Sequence, residues 1–276
     1  MALPLPGSTI LYEKRDHVAW ITLNRPEAMN SLSRELSSTL RLAADEASTD
    51  DDVQVVIVTG TGGRAFCAGM DLKERAQLDA QLGGNSLQTA GLGGNLGRDI
   101  WDCPKPVIAA IDGYALAGGM QLANRCDIRI ATEKSAFGMP EPRRSLAPIL
   151  SMDTMEGGFV PLGEAMWIIL TGSHMTAQRA YQIGLIQALV PDRKALMAEA
   201  ERLANELKMN APLALRALKL GAHFRRNAPT APQGVLPMDY ARQLNKPNQD
   251  LITNSEDRLE GPKAFAEKRA PNWKGR

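Results

Sequence analysis

The sequence predicts an α/β protein with a mostly parallel sheet and a helical last third. Three observations carry this. Residues 53–59 and 105–111 are short apolar runs without alternation, the pattern of strands buried on both faces. Each run enters a turn of small residues, Gly60 to Gly69 in one case and Gly113 to Gly119 in the other, that opens helix-forming sequence. After Pro161 the apolar spacing becomes helical and stays so.

The elements follow in order. Residues 9–13 and 17–23 read as the strands of a hairpin around Lys14-Arg15-Asp16. Ser31 or Ser33 caps a helix that runs to about residue 47. Strand 53–59 comes next, and the order strand, helix, strand predicts a right-handed crossover and a parallel pair. Residues 81–95 contain Gly83-Gly84-Asn85-Ser86 and Gly91-Leu92-Gly93-Gly94-Asn95, a candidate lid or pocket wall. Helices are expected over 163–170, 176–183, 193–208 and 212–225. The run 185–190 reads as a strand or an extended link, and 221–237 as a hinge into the last helices.

Composition excludes several classes. The chain has 276 residues and a formal net charge of +1, which gives no global electrostatic case for nucleic acid or a membrane surface. No run is apolar and long enough to span a bilayer. Met1-Ala2-Leu3-Pro4-Leu5-Pro6 lacks the basic start and apolar core of a signal peptide. Cys67, Cys103 and Cys126 have no paired spacing, so reduced thiols in a cytoplasmic compartment are expected.

The two glycine turns carry the chemistry. In Arg64-Ala65-Phe66-Cys67-Ala68-Gly69-Met70-Asp71-Leu72-Lys73-Glu74 a strand ends in a small-residue turn before a helix. Such a turn presents backbone N–H groups that the first helical turn leaves without acceptors. They can hold an anion or a developing oxyanion. Ala68 and Gly69 allow close approach to the main chain. Asp112-Gly113-Tyr114-Ala115-Leu116-Ala117-Gly118-Gly119-Met120-Gln121 repeats the arrangement, with a helix beginning near Gly118.

With Ile21-Thr22-Leu23-Asn24-Arg25-Pro26, Phe137-Gly138-Met139-Pro140-Glu141, Leu170-Thr171-Gly172, Gly184-Leu185-Ile186 and Ala264-Phe265-Ala266-Glu267-Lys268-Arg269, these stretches resemble the crotonase family, the enoyl-CoA hydratase/isomerase superfamily, in order and over nearly the whole chain. The resemblance implies an α/β fold built as a spiral of strand-strand-helix turns. It also implies a core over 1–200 with the acyl-CoA site and a C-terminal helical region over 201–276 that makes trimer contacts. The expected assembly is a homotrimer or homohexamer. No metal or redox cofactor is expected, because coenzyme A enters as part of the substrate.

By motif position, the resemblance makes the Met70 and Gly118 N–H groups the donors that flank a thioester carbonyl. Glu141 matches the second glutamate of family hydratases and the single glutamate of many isomerases. The competing reading is a surface carboxylate paired to Arg143 or Arg144. Gln121 stands where two-glutamate hydratases have the first glutamate. A glutamine hydrogen-bonds a water but cannot take its proton. Hydration with Glu141 as sole base, a one-carboxylate proton shuttle, or a hydrolytic or retro-aldol reaction each follow from that change. A solvent-facing Gln121 is the plain alternative. The segment 145–160 also departs from the family pattern, and Asp153 and Glu156 are new acidic groups there. The resemblance assigns substrate contacts to Ala28, Ala68, Gly69, Asp71, Leu72, Lys73, Phe265 and Lys268. Taken alone, each basic residue is a solvated surface charge.

Other chemistry finds less support. His17, His174 and His223 lie far in sequence from the glycine turns, which gives no basis for a Ser-His-Asp or metal site. The glycines of 91–97 lack the Lys-Ser/Thr pair of a phosphate loop. The basic stretch 208–226 reads as a solvated helix face. The main expectation is an enoyl-CoA hydratase-like enzyme. The alternatives are a Δ3-Δ2 enoyl-CoA isomerase, an acyl-CoA C–C or ring hydrolase, and a non-catalytic acyl-CoA-binding scaffold.

Overall fold

In the computed structural model the chain begins with an antiparallel hairpin, β1 (Ile10–Arg15) and β2 (Val18–Leu23). The structure describes residues 8–82, 100, 102–146, 160–227, 243, 246–247 and 249–276. The hairpin turn is Asp16-His17, both with positive φ (48° and 62°), so it is tighter than a turn spread over Lys14 to Asp16. Residues with positive φ at both central positions match the right-handed strand twist of a two-residue hairpin.

Helix α1 (Arg34–Thr49) is capped by Ser33, whose side chain accepts the Leu36 N–H at 3.1 Å. It leads to β3 (Val55–Gly60), buried at all six positions. Strand β4 (Ala65–Cys67) and helix α2 (Leu72–Leu82) follow. The next turn of the spiral is β5 (Val107–Ile111), β6 (Tyr114–Leu116) and helix α3 (Gly118–Arg125). A third begins with β7 (Ile128–Thr132), β8 (Ala136–Gly138) and a 3-10 turn at Glu141–Arg144. Then come α4 (Leu162–Thr171), β9 (His174–Thr176), α5 (Ala177–Gln182) and β10 (Ala188–Val190).

Strands β1, β2, β3, β5, β7 and β10 form one sheet in that order, parallel from β2 onward. The three-residue strands β4, β6, β8 and β9 form a second sheet, with β4, β6 and β8 parallel. The sequence reading has one sheet; the second is too short to leave a periodic signal. The core contains Phe66, Phe137, Ile57, Ile108, Leu36 and Met120, all fully buried. Arg129 is also buried. Its guanidinium donates to the carbonyls of Cys126 (2.6 Å), just after α3, and Leu185 (2.7 Å), far along the chain, which satisfies main-chain oxygens of both segments.

The chain divides into two compact units, residues 1–103 with 107–202, and residues 104–106 with 203–276. Helix α6 (Arg193–Lys208) crosses the chain boundary between them. The second unit holds α7 (Pro212–Asn227) and α8 (Asp257–Ala266). Helix α7 runs straight through Gly221, so the hinge expected from residue 221 does not start there; residues 228–237 lie outside the described residues. The tail after α8 folds back on it: Asp257 accepts the N–H groups of Lys274 and Gly275, and Glu260 pairs with Arg269 through both its oxygens. Residues 83–95, Asp153 and Glu156 also lie outside the described residues.

Candidate active site

Three neighbouring parallel strands of the small sheet, β4, β6 and β8, end on the same side. Beyond β4 the chain reads Ala68-Gly69-Met70; beyond β6, Ala117-Gly118; beyond β8, Met139-Pro140-Glu141. Segments distant in sequence thus share one strand end, where open parallel sheets hold their ligands. A hydrogen bond from the Ala117 N–H to the Gly138 carbonyl (2.8 Å) ties the second turn to the third.

The first two turns are in close contact. A Cβ on Gly69 would stand 2.7 Å from the Ala117 methyl and 3.2 Å from the Gly118 nitrogen. A Cβ on Gly118 would stand 3.9 Å from the Met70 nitrogen. Met70 forms a one-residue parallel bridge with Leu32: the Leu32 N–H donates to Gly69 O (2.8 Å) and the Asp71 N–H to Leu32 O (3.1 Å). In such a bridge the central residue turns its own N–H away from the partner strand. Neither the Met70 N–H nor the Gly118 N–H has an acceptor among the described residues. Gly69 has φ +93°, a conformation an L side chain rarely adopts. Ala117 has φ 52° and ψ −124°, a strained backbone held by its surroundings immediately before the Gly118 donor.

Glu141 opens its 3-10 turn, half-buried. Its Oε2 is buried and has no hydrogen-bond partner among the described residues. Burial holds its carboxyl above the ordinary value of 4.5, against the opposing pull of its own N–H and of Arg144. Neither neighbouring arginine forms an ion pair with it. Arg143 donates to Thr171 O and Ser173 Oγ, both at 3.3 Å, and Arg144 to Pro140 O at 3.4 Å. Gln121 is partly buried in the first turn of α3, its N–H on Ala117 O, and its side chain has no partner among the described residues.

The remaining expected contacts divide. Ala68 lies beside the site, its N–H bonded to Met29 O (3.1 Å). Ala28 ends the 3-10 turn Pro26–Ala28, with its N–H on Arg25 O and its carbonyl on the Ser31 N–H. The Asp71 carboxylate faces the protein. It accepts from Arg25 (3.0 Å) and from the N–H groups of Lys73 (3.1 Å) and Glu74 (3.3 Å), capping α2. Burial pushes that carboxyl up, but the Glu74 N–H and Arg25 outweigh it and leave it below its ordinary value. Leu72 and Lys73 are exposed on the first turn of α2. Phe265 and Lys268 belong to the second unit, both exposed, with Phe265 at 87%.

Two residues near the site were not found by sequence reasoning. His174 pairs with Gly138 across β8 and β9 and packs edge-on to Tyr114, with ring centroids 5.9 Å apart. Burial, then Arg143 and Arg144, hold its imidazole below the ordinary value. Arg25 is the other, and only the ring of bonds around it reveals it. Cys67 is unavailable as a nucleophile: burial pushes its thiol up to about 12, with the Gly69 N–H opposing. Among the described residues no cluster of His, Cys, Asp and Glu is arranged to hold a metal ion, and no helix is long and apolar enough to cross a membrane.

The profile of the family described as Enoyl-CoA hydratase/isomerase matches residues 13–276. The chain is 37% identical over 282 residues to enoyl-CoA hydratase EchA19 of Mycobacterium tuberculosis, covering 100% of both. It is 35% identical to (E)-benzylidenesuccinyl-CoA hydratase of Thauera aromatica, covering 96% of this chain and 99% of the relative. Its fold superposes on the crystal structure of enoyl-CoA hydratase EchA1 from Mycobacterium marinum with a TM-score of 0.83, at 36% identity and covering 97% and 99% of the two chains. Likeness of that extent, in sequence and in fold, identifies the chain as a member of the enoyl-CoA hydratase/isomerase family, the crotonase superfamily.

Proposed function

We propose that the protein is an enoyl-CoA hydratase-like enzyme in which the Met70 and Gly118 N–H groups hold the thioester oxygen and Glu141 moves the proton. The observation that carries the reading is the convergence of three strand ends, two with N–H groups that have no acceptor among the described residues and one with a buried carboxyl oxygen, Glu141 Oε2, that has no hydrogen-bond partner among them. Addition of water across a conjugated enoyl thioester pushes charge onto the thioester oxygen. Two preorganised donors stabilise that enolate by about 3 kcal/mol each, on the scale of oxyanion-hole deletions. The Glu141 carboxylate takes a proton from water as its oxygen bonds the β-carbon. The resulting carboxylic acid then returns a proton to the α-carbon. A carboxyl with a raised proton affinity suits both directions of that transfer. Coenzyme A enters with the substrate, and the chemistry asks for no metal or redox cofactor.

One observation favours a second reading. Gln121 cannot accept a proton, so the site keeps one carboxylate where a two-glutamate hydratase has a pair. A Δ3-Δ2 enoyl-CoA isomerase needs one, which removes a proton from C2 and delivers it to C4. The test is turnover of crotonyl-CoA and of a 3-enoyl-CoA. Glu141→Gln should remove nearly all turnover of the true substrate while CoA thioester binding persists. Gln121→Glu should raise crotonyl-CoA hydration. If Gln121→Glu gains nothing and the 3-enoyl-CoA is turned over, the isomerase reading replaces the hydratase one. If neither substrate, nor any C–C or ring-cleavage substrate, is turned over while CoA thioesters bind, the protein is a scaffold. The proposal extends to a homotrimer or homohexamer in a cytoplasmic, reducing compartment, supported by the exposed Leu162, Trp167 and Leu170 of α4 and by three buried cysteines that form no disulfide among the described residues.

A further inference from the structure

The Met70 N–H points where it does because of the one-residue bridge between Met70 and Leu32, and a single such bridge has two hydrogen bonds to hold it. The residues on either side of the bridge are bound to one side chain. Arg25 Nη1 donates to Ser31 O (2.8 Å), the residue before Leu32. Arg25 Nη2 donates to Asp71 Oδ2 (3.0 Å), the residue after Met70. Its side chain is 20% exposed and that of Asp71 14%, so the pair is shielded from solvent screening. The Arg25 main chain is held as well: its N–H donates to Asn30 Oδ1 (2.9 Å), and the Asn30 amide donates to Ala65 O (2.8 Å) and Thr61 O (3.1 Å). A second link, from the Arg34 N–H to the Glu74 carboxylate (2.9 Å), joins the starts of α1 and α2 just beyond the bridge.

We infer that Arg25 is a positioning residue for the oxyanion donor: by binding Ser31 O and the Asp71 carboxylate at once, it clamps the Leu32–Met70 bridge and fixes the direction of the Met70 N–H. The planar fork of a guanidinium spans two acceptors in a set geometry; an ammonium does not. This rests on the functional reading above for its consequence in catalysis, but not for the clamp itself.

The experiment compares the wild-type chain with Arg25→Met and Arg25→Lys. Amide hydrogen exchange at Leu32 and Asp71 should accelerate tenfold or more, roughly, in Arg25→Met, while the Val56 and Ile57 amides of β3 exchange as before. With crotonyl-CoA, kcat should fall about tenfold or more with KM within about a factor of two, because a small misplacement of a catalytic donor is costly. The infrared carbonyl band of the bound thioester should lose part of its downshift. Arg25→Lys, which keeps the charge but one bond, should lie between. Unchanged exchange at Leu32 and Asp71, or acceleration spread equally to Val56 and Ile57, overturns the proposal, as does an unchanged carbonyl band in a variant whose bridge has loosened. A wild-type protein that neither turns over nor shifts the carbonyl band, but whose bridge amides respond to Arg25→Met, supports the clamp and refutes the functional reading instead.

Discussion

Glu141 shows how burial raises the proton affinity of an ordinary carboxyl. Its folded value lies above the ordinary 4.5 because the ionised form loses more by burial than its own N–H and Arg144 restore. The linkage sign follows. A group with a raised folded value contributes stability below its unfolded value and loses that contribution as pH rises through the folded value. Glu141→Gln keeps the shape and removes the charge. The variant should therefore match wild type in denaturant midpoint near pH 4 and exceed it near pH 8, read from unfolding curves across that range. An equal midpoint at pH 8 would mean that the carboxyl is not penalised by burial. With Glu141 as the proposed base, the same upward shift should move the acid limb of the wild-type pH–rate profile to higher pH than an ordinary glutamate gives, since the carboxylate is needed to take the proton. Which carboxyl to watch was legible in the sequence through its motif. That its oxygen is buried without a partner, and that Arg143 and Arg144 bind elsewhere, was not, because ion pairing between near neighbours depends on which way a turn aims each side chain.

At the scale of elements, the turn into α3 is under steric control. A Cβ on Gly119 would stand 2.0 Å from Cys67 O, a rigid main-chain atom in β4. A Cβ on Gly118 would stand 2.9 Å from Leu32 Cδ1, the far end of a side chain, which has to give only a few tenths of an ångström, rather than from a main-chain atom. The same substitution at adjacent positions should then have different outcomes. Gly119→Ala should destabilise by about 1–3 kcal/mol or prevent folding, the scale of overpacking. Gly118→Ala should stay folded with a near-native melting temperature. Thermal melts of both variants check this, and a stable Gly119→Ala would refute the close approach of α3 to β4. The glycines themselves marked both turns in the sequence. The reason each is needed comes from the partner strand, which is distant in sequence. Elements with a cap or an apolar run were legible in the same way: α1 from Ser31 or Ser33, of which Ser33 is the cap, and β3 and β5 from apolar runs without alternation. The small sheet was not, since three residues carry no period.

At the scale of the whole molecule, the proposed trimer or hexamer is tested by light scattering across micromolar concentrations, where a mass of three or six chains is expected and a monomer would refute it. Leu170 is 68% exposed and Leu162 62% on α4, an apolar surface that a partner subunit would cover. The sequence by itself determined the α/β class, the order of most elements, the two glycine turns and the family, because these reside in local patterns: apolar period, turn residues, caps and motifs in a set order. Only the tertiary structure decided which strand ends meet, that Met70 turns its N–H from Leu32, that Asp71 serves Arg25 and α2, and that His174 lies beside Gly138. Those facts follow from pairings between segments tens of residues apart, and a strand's neighbour is chosen by the packing of the whole sheet rather than by its own residues.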